Sequence, residues 1–167
     1  MAHLTLQGHQ IIETLSDLPT IGTMAPDFTL TTLDLSEKSL SDYLGQRVIL
    51  NIFPSVDTET CSLSVKMFNK QVAELDNTAI LCISRDLPFG QKRFCAAEGI
   101  ENVHMLSEYK DSIFSDVYGV RMIAGPLAGL LSRAIVIIDT DGTVIYTEQV
   151  SEITAEPDYK RALTILD

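Results

Sequence analysis

Val48-Ile49-Leu50-Asn51-Ile52-Phe53, followed by Pro54-Ser55-Val56-Asp57-Thr58-Glu59-Thr60-Cys61, carries the chain from a strand into a helix. The first six residues form a near-continuous apolar run of strand length, and Pro54, with no N–H to give a neighbouring strand, stops it. After Cys61, the residues Val65, Phe68, Val72 and Leu75 follow at spacings of four, three, four and three, one stripe of a helix. The pattern predicts a buried strand over 48–53, a helix over 60–76, and Cys61 in the first helical turn on the inward face.

Outward from this pair the same logic divides the rest of the chain. Leu4-Thr5-Leu6 and Gln10-Ile11-Ile12-Glu13, joined through Gly8, read as a hairpin. A short strand is expected over 27–30 and a short helix over 39–44. The next apolar run, 79–84, is a second central strand. Pro88 and Gly99 bracket a helix over 88–98, since proline suits a first helical position and glycine a left-handed cap. A strand over 103–106, a helix over 111–118 closed by Gly119, and two strands over 133–139 and 143–148 around the turn Asp141-Gly142 complete the series with a helix over 157–166. Strands alternating with helices and closing on a hairpin imply an α/β fold, a mixed central sheet with helices on both faces and an N-terminal β-hairpin extension. No linker, repeat or low-complexity tract interrupts it, so residues 1–167 are expected to form one domain.

The chain has 167 residues, 46% hydrophobic and 21% charged, enough for a real core. Twelve basic against twenty-three acidic residues give a formal charge of −11, which argues against a nucleic-acid backbone or an anionic membrane as partner. No apolar stretch approaches the roughly twenty residues that span a bilayer. The first ten residues carry neither a basic nor a long apolar region, so no secretory signal is expected and a cytoplasmic location is.

A thiol at a helix start meets unpaired backbone N–H groups and the positive end of the helix dipole, and it ionises more readily there. Asp57 and Glu59 oppose a further anion, so a cation must answer them. Arg133 is the first candidate, with Arg121 and Arg93 behind it: it begins a run of wholly apolar residues, where a guanidinium needs an anionic partner. It reads equally as a surface arginine paired to a carboxylate. Thr58 supplies a hydroxyl three residues before the sulfur, and serves as well as a helix N-cap. Pro54 can wall a pocket besides ending the strand. Cys61 itself, taken alone, would pass for a small apolar residue filling a helix–strand contact.

Three cysteines stand in the chain, and no Cys-x-x-Cys. Cys82 lies in Ile80-Leu81-Cys82-Ile83, a strand buried on both faces, and reads as core. Cys95 sits among Gln91, Lys92, Arg93 and Ala96, a polar and movable neighbourhood, and on composition reads equally as reactive or packing. His3, His9 and His104 have no spacing with one another or with the cysteines that would make a metal site.

Pro-x-x-x-Thr-x-x-Cys, standing here as Pro54, Thr58 and Cys61, resembles the active-site motif of peroxiredoxins, and Asn51-Ile52-Phe53-Pro54-Ser55-Val56-Asp57-Thr58 resembles their thiol peroxidase branch. Asp86-Leu87-Pro88-Phe89 with Arg93-Phe94-Cys95, Gly125-Pro126-Leu127 with Gly129-Leu130, Arg133-Ala134-Ile135-Val136-Ile137-Ile138-Asp139 and Glu152-Ile153-Thr154 are similar in the same order. The resemblance runs over residues 3–167. It implies a thioredoxin-like fold and an atypical two-cysteine peroxiredoxin, with Cys61 the peroxidatic thiol, Cys95 the resolving thiol of an intrachain disulfide, and Arg133 beside Cys61.

Hydrogen peroxide or an alkyl hydroperoxide would then oxidise Cys61 to a sulfenic acid, with Thr58, Arg133 and the Cys61 N–H holding the two oxygens. A thioredoxin-type dithiol would reduce the disulfide. The cycle needs no metal, haem or flavin, and the resemblance also implies a homodimer. The apolar loop Gly125-Pro126-Leu127-Ala128-Gly129-Leu130-Leu131 reads as a wall for alkyl hydroperoxides, a dimer contact, or simple packing. The competing function is a peroxide sensor or redox relay that passes oxidation to a partner protein. A dithiol isomerase is disfavoured by the missing Cys-x-x-Cys.

Overall fold

The computed structural model describes residues 1–167. Its centre is a seven-stranded mixed sheet, and a separate two-stranded hairpin precedes it. The hairpin pairs β1 (His3–Leu6) with β2 (Gln10–Glu13) antiparallel. In the main sheet β5 (Arg47–Ile52), β6 (Thr78–Ser84) and β7 (His104–Ser107) run parallel, which requires crossover helices between them. These are α1 (Glu59–Gln71) and α2 (Pro88–Glu98). On the other side of β5, β8 (Ala134–Ile138) and β9 (Val144–Gln149) add antiparallel; β3 (Thr29–Thr31) and β4 (Glu37–Ser39) add antiparallel beyond β7.

Strand alternation sorts the core into two layers. Val48, Leu50 and Ile52 of β5, with Leu81 and Ile83 of β6 and Val136 and Ile138 of β8, pack toward Phe28, Phe114 and Tyr118. That face is covered by α3 (Ile113–Val117) and a 3₁₀ turn at Leu40–Tyr43. The alternate residues Ile49, Phe53, Ile80, Cys82, Ile135 and Ile137 pack toward α1, α2 and α4 (Tyr159–Thr164). Helices on both faces of a mixed sheet, with a hairpin ahead of it, are what the sequence led us to expect. No helix is long and apolar enough to cross a membrane.

The differences are local. α1 ends at Gln71 and continues only as a 3₁₀ turn at Val72–Glu74, short of 76. The last helix starts at Tyr159, because Asp158 rather than Pro157 caps it through the Arg161 N–H. β4, an edge strand of three residues with no alternating apolar pattern, gave no sequence signal. α2 begins at Pro88 and ends before Gly99, which takes the left-handed conformation (φ 67°) that glycine adopts without cost.

Candidate active site

β5 delivers the chain to buried Pro54, and the turn after it sets Thr58 as the N-cap of α1. The Thr58 hydroxyl accepts the Cys61 N–H at 3.3 Å and donates to the Ser55 carbonyl at 3.2 Å. Cys61 is fully buried in the first turn, on the inward face, as a free thiol. Its N–H, expected to be open to a substrate oxygen, is thus occupied by Thr58 Oγ1, so both groups meet an oxygen only by sharing that long bond.

Arg133 stands just before β8 and is 2% exposed. Its Nε donates to the Ile153 carbonyl at 2.9 Å, and its own carbonyl accepts from Val150 N and Gln149 Nε2. No carboxylate pairs with it, against the bland reading of a surface ion pair, and Nη1 is buried with no hydrogen-bond partner. An unpaired buried donor costs free energy unless something else meets it. Pro54, Thr58, Glu59 and Arg133 line one cleft of about 480 Å³, whose remaining walls are largely Leu6, Leu127, Leu130 and Ile153. Tyr159, stacked edge-on against Phe68, lies within electrostatic reach of both Arg133 and Cys61; burial first, then the Glu156 carboxylate, pushes its phenol up. The two reserve cations are engaged elsewhere, Arg93 with Asp57 at 3.2 Å and Arg121 with Asp116 at 2.7 Å. The first of these pairs also answers one of the carboxylates expected to oppose the thiolate.

The loop at 125–131 packs over the hairpin and contributes Leu127 and Leu130 to the cleft. Gly125 makes that seat possible: its φ is +87°, and a Cβ there would press within 3.2 Å of the Ile11 carbonyl oxygen.

Cys95 departs from its expected surroundings. Gln91, Phe94 and Cys95 face inward while Lys92, Arg93 and Ala96 are not buried, so the polarity of the sequence belongs to the opposite face of α2. Cys95 is 8% exposed and joins Cys61 and Cys82 in one apolar cluster, and burial pushes its thiol up. Cys82 is the core residue expected; burial raises its thiol to about 12, and Asn51 Nδ2 approaches its sulfur at 3.6 Å. No three His, Cys, Asp or Glu side chains converge in a way that could hold a metal.

Asp86 escaped the sequence reading. Its carboxylate accepts Ser55 Oγ at 2.7 Å, the Val56 N–H at 2.9 Å and Ser84 Oγ at 2.6 Å. Gln91 on α2, fully buried, donates in turn to Ser84 Oγ at 3.2 Å. One polar chain thereby joins the turn before Cys61 to the helix that carries Cys95. The sequence showed it only as an acid just beyond a wholly buried strand and as the first residue of the family-like segment Asp86-Leu87-Pro88-Phe89, with no hint of these partners.

Comparison with known proteins fits this arrangement. Residues 20–163 match the family described as Redoxin. Over 166 residues the chain is 52% identical to a thiol peroxidase of Mycobacterium tuberculosis, covering 99% of each, and it is equally similar to one of Mycobacterium bovis. The chain belongs to the redoxin family. Within it the thiol peroxidase branch is its place, and the peroxiredoxin resemblance read from Pro54, Thr58 and Cys61 holds. Among solved structures, a peroxiredoxin-like protein from Aquifex aeolicus superposes with a TM-score of 0.93 at 33% identity, covering 99% of this chain and 96% of that one. A thiol peroxidase from Chromobacterium violaceum, 21% identical with a TM-score of 0.89 over 99% and 96%, shares the fold. The fold is thioredoxin-like, as the resemblance implied.

Proposed function

We propose that this thiol-dependent peroxidase reduces hydrogen peroxide and alkyl hydroperoxides at Cys61, with Cys95 as its resolving thiol. The observation that carries the reading is that Arg133, which lines the same cleft as Thr58 and Pro54, has a buried Nη1 with no hydrogen-bond partner. The Cys61 thiolate attacks the distal peroxide oxygen: an S–O bond forms, the O–O bond breaks, and the leaving oxygen departs as water or alcohol on taking up a proton. The sulfur is oxidised by two electrons to a sulfenic acid. Charge moves from sulfur to the leaving oxygen in this step, and a fixed guanidinium serves both ends of that movement. Pro54 adds a wall without a competing donor. Leu6, Leu127, Leu130 and Ile153 give an alkyl group an apolar seat.

Cys95 then attacks the sulfenic sulfur, forming the disulfide and releasing hydroxide that leaves as water. A thioredoxin-type dithiol restores both thiols by exchange. The chain acts as a homodimer in this reading.

The test is peptide mapping without reduction after one equivalent of peroxide, with steady-state peroxide consumption by Cys61→Ser and Arg133→Ala beside it. A Cys61–Cys95 crosslink, no turnover in Cys61→Ser, and a fall of about 10²-fold or more in Arg133→Ala are expected. Full turnover in Cys61→Ser ends the proposal.

A further inference from the structure

The segment 151–155 connects three parts of the molecule. Its Ile153 carbonyl accepts Nε of Arg133 at 2.9 Å, and its Thr154 carbonyl accepts the Thr60 hydroxyl of the first turn of α1 at 3.0 Å. On its other side it is laced to β1, with Thr5 N–H donating to Ser151 O at 2.8 Å and Ile153 N–H to Thr5 O at 2.9 Å. Glu152 lies between. Its Oε2 accepts Thr5 Oγ1 at 2.6 Å and Gly8 N–H at 3.0 Å; its Oε1 accepts Gln7 N–H at 3.0 Å and, from Thr154, Oγ1 at 2.7 Å and N–H at 3.2 Å.

Five donors on one carboxylate are more than tethering requires. The hydroxyls of Thr5 and Thr154, ahead of the Gly8 and Thr154 N–H groups, hold its acid form down to about 2, so the anion persists at every working pH. Two of the donors exist because of an unfavourable backbone. Gln7 and Gly8 both have positive φ (54° and 74°), the tight turn that aims successive N–H groups one way, and Gln7 adopts it without the freedom of glycine. An anion receiving those N–H groups offsets that cost.

We propose that Glu152 is a positioning residue for Arg133, with the N-terminal hairpin as its anchor. The carboxylate fixes the Ile153 carbonyl, the carbonyl fixes Nε, and Nε sets the plane of the guanidinium whose Nη1 has no partner. The Nε bond to Ile153 is the guanidinium's one hydrogen bond, so its orientation depends on where that carbonyl is held. The proposal rests on the role of Arg133 given above.

Glutamine at 152 keeps the shape but presents NH₂ to at least two of the five donors. Thr5→Val removes one donor at the far end of the joint, and Thr5→Ser restores it. Single-turnover oxidation of Cys61 and the pH midpoint of its ultraviolet thiolate absorbance are the readouts, with Arg133→Ala as reference. In Glu152→Gln and Thr5→Val the oxidation step slows about tenfold, below the roughly 10²-fold that an ångström's misplacement costs. The thiolate midpoint moves upward in both variants, the direction expected when the cation retreats. Thr5→Ser follows the wild type in both. A lower melting temperature with unchanged oxidation rate and midpoint overturns the proposal and leaves Glu152 a strut. If Arg133→Ala itself leaves the oxidation rate unchanged, the reading of Arg133 falls and this one with it; if only Arg133→Ala moves it, this one falls alone. Should Glu152→Gln fail to fold, the two Thr5 variants decide.

Discussion

The Thr58 hydroxyl is an N-cap in the structure and a peroxide contact in the proposal, and the two roles can be separated. As N-cap it accepts the Cys61 N–H, and caps of this kind contribute about 1 kcal/mol. As a proposed peroxide contact it would offer the same oxygen to the substrate. Thr58→Val should therefore cost about 1 kcal/mol in urea unfolding yet slow the peroxide step by about 10²-fold, the loss typical of one transition-state donor. Thr58→Ser should restore both. A rate that falls no more than the stability does would reduce Thr58 to a cap. Cys61 and Thr58 were legible because cap, thiol and stripe lie within one short stretch. Arg133 was legible as a cation but not as an unpaired one, since the absence of a carboxylate around it is a fact of packing. Glu152 showed only as part of a segment resembling the family, not as a support for Arg133, because its partner Thr5 stands 147 positions away.

α2 was read to the residue from Pro88 and Gly99, because both act through their own backbone. What the sequence hid was its rotation, which turns Gln91, Phe94 and Cys95 inward and makes the proposed resolving thiol a buried one. Burial raises the Cys95 thiol above its unfolded value, so the folded helix holds that proton more tightly than the open one. The stability this gives α2 is complete below the unfolded thiol's pKa of about 8.5 and is lost as pH climbs toward the folded value. Opening should accordingly become easier above pH 8.5 or so. Hydrogen exchange over 88–98, corrected for intrinsic rates, should lose more protection between about pH 7 and 9 in the reduced wild type than in Cys95→Ser. Equal losses would mean that the buried thiol does not gate the helix. Asp86 belongs to the same element-level question, since its chain of hydroxyls reaches both the turn before Cys61 and the helix of Cys95. Asp86→Asn should loosen the turn at 55–58 and the start of α2 together, seen as exchange rising in both; a change confined to one side would show that the network does not couple them.

Across the whole molecule, the mixed sheet with helices on both faces followed from strands alternating with helices and closing on a hairpin. The seating of the hairpin against segment 151–155 did not follow, because that contact joins the two ends of the chain through polar groups with no period. The same limit applies to the proposed disulfide. Cys61 and Cys95 share one apolar cluster, yet each sits in an intact helix, with the Gly99 and Ile100 N–H groups both donating to the Cys95 carbonyl. Two ion pairs also hold the segments in place, Asp57–Arg93 at 3.2 Å and Lys66–Glu98 at 2.7 Å. Crosslinking closes a loop of about 34 residues, which restricts the unfolded chain by roughly 4 kcal/mol in the entropy model. Unwinding either helix end gives back buried contacts of similar worth, and a disulfide meant for exchange must remain reducible. The oxidised protein should therefore melt no higher than the reduced one, run as a monomer on non-reducing gels, and leave Cys82 free. In Cys95→Ser the sulfenic acid should persist and pass to sulfinic acid under excess peroxide, visible by intact mass. A disulfide-linked dimer, or a mapped Cys61–Cys82 bridge, would show that another thiol resolves Cys61. A large gain in melting temperature on oxidation would mean that the crosslink forms without the helices opening.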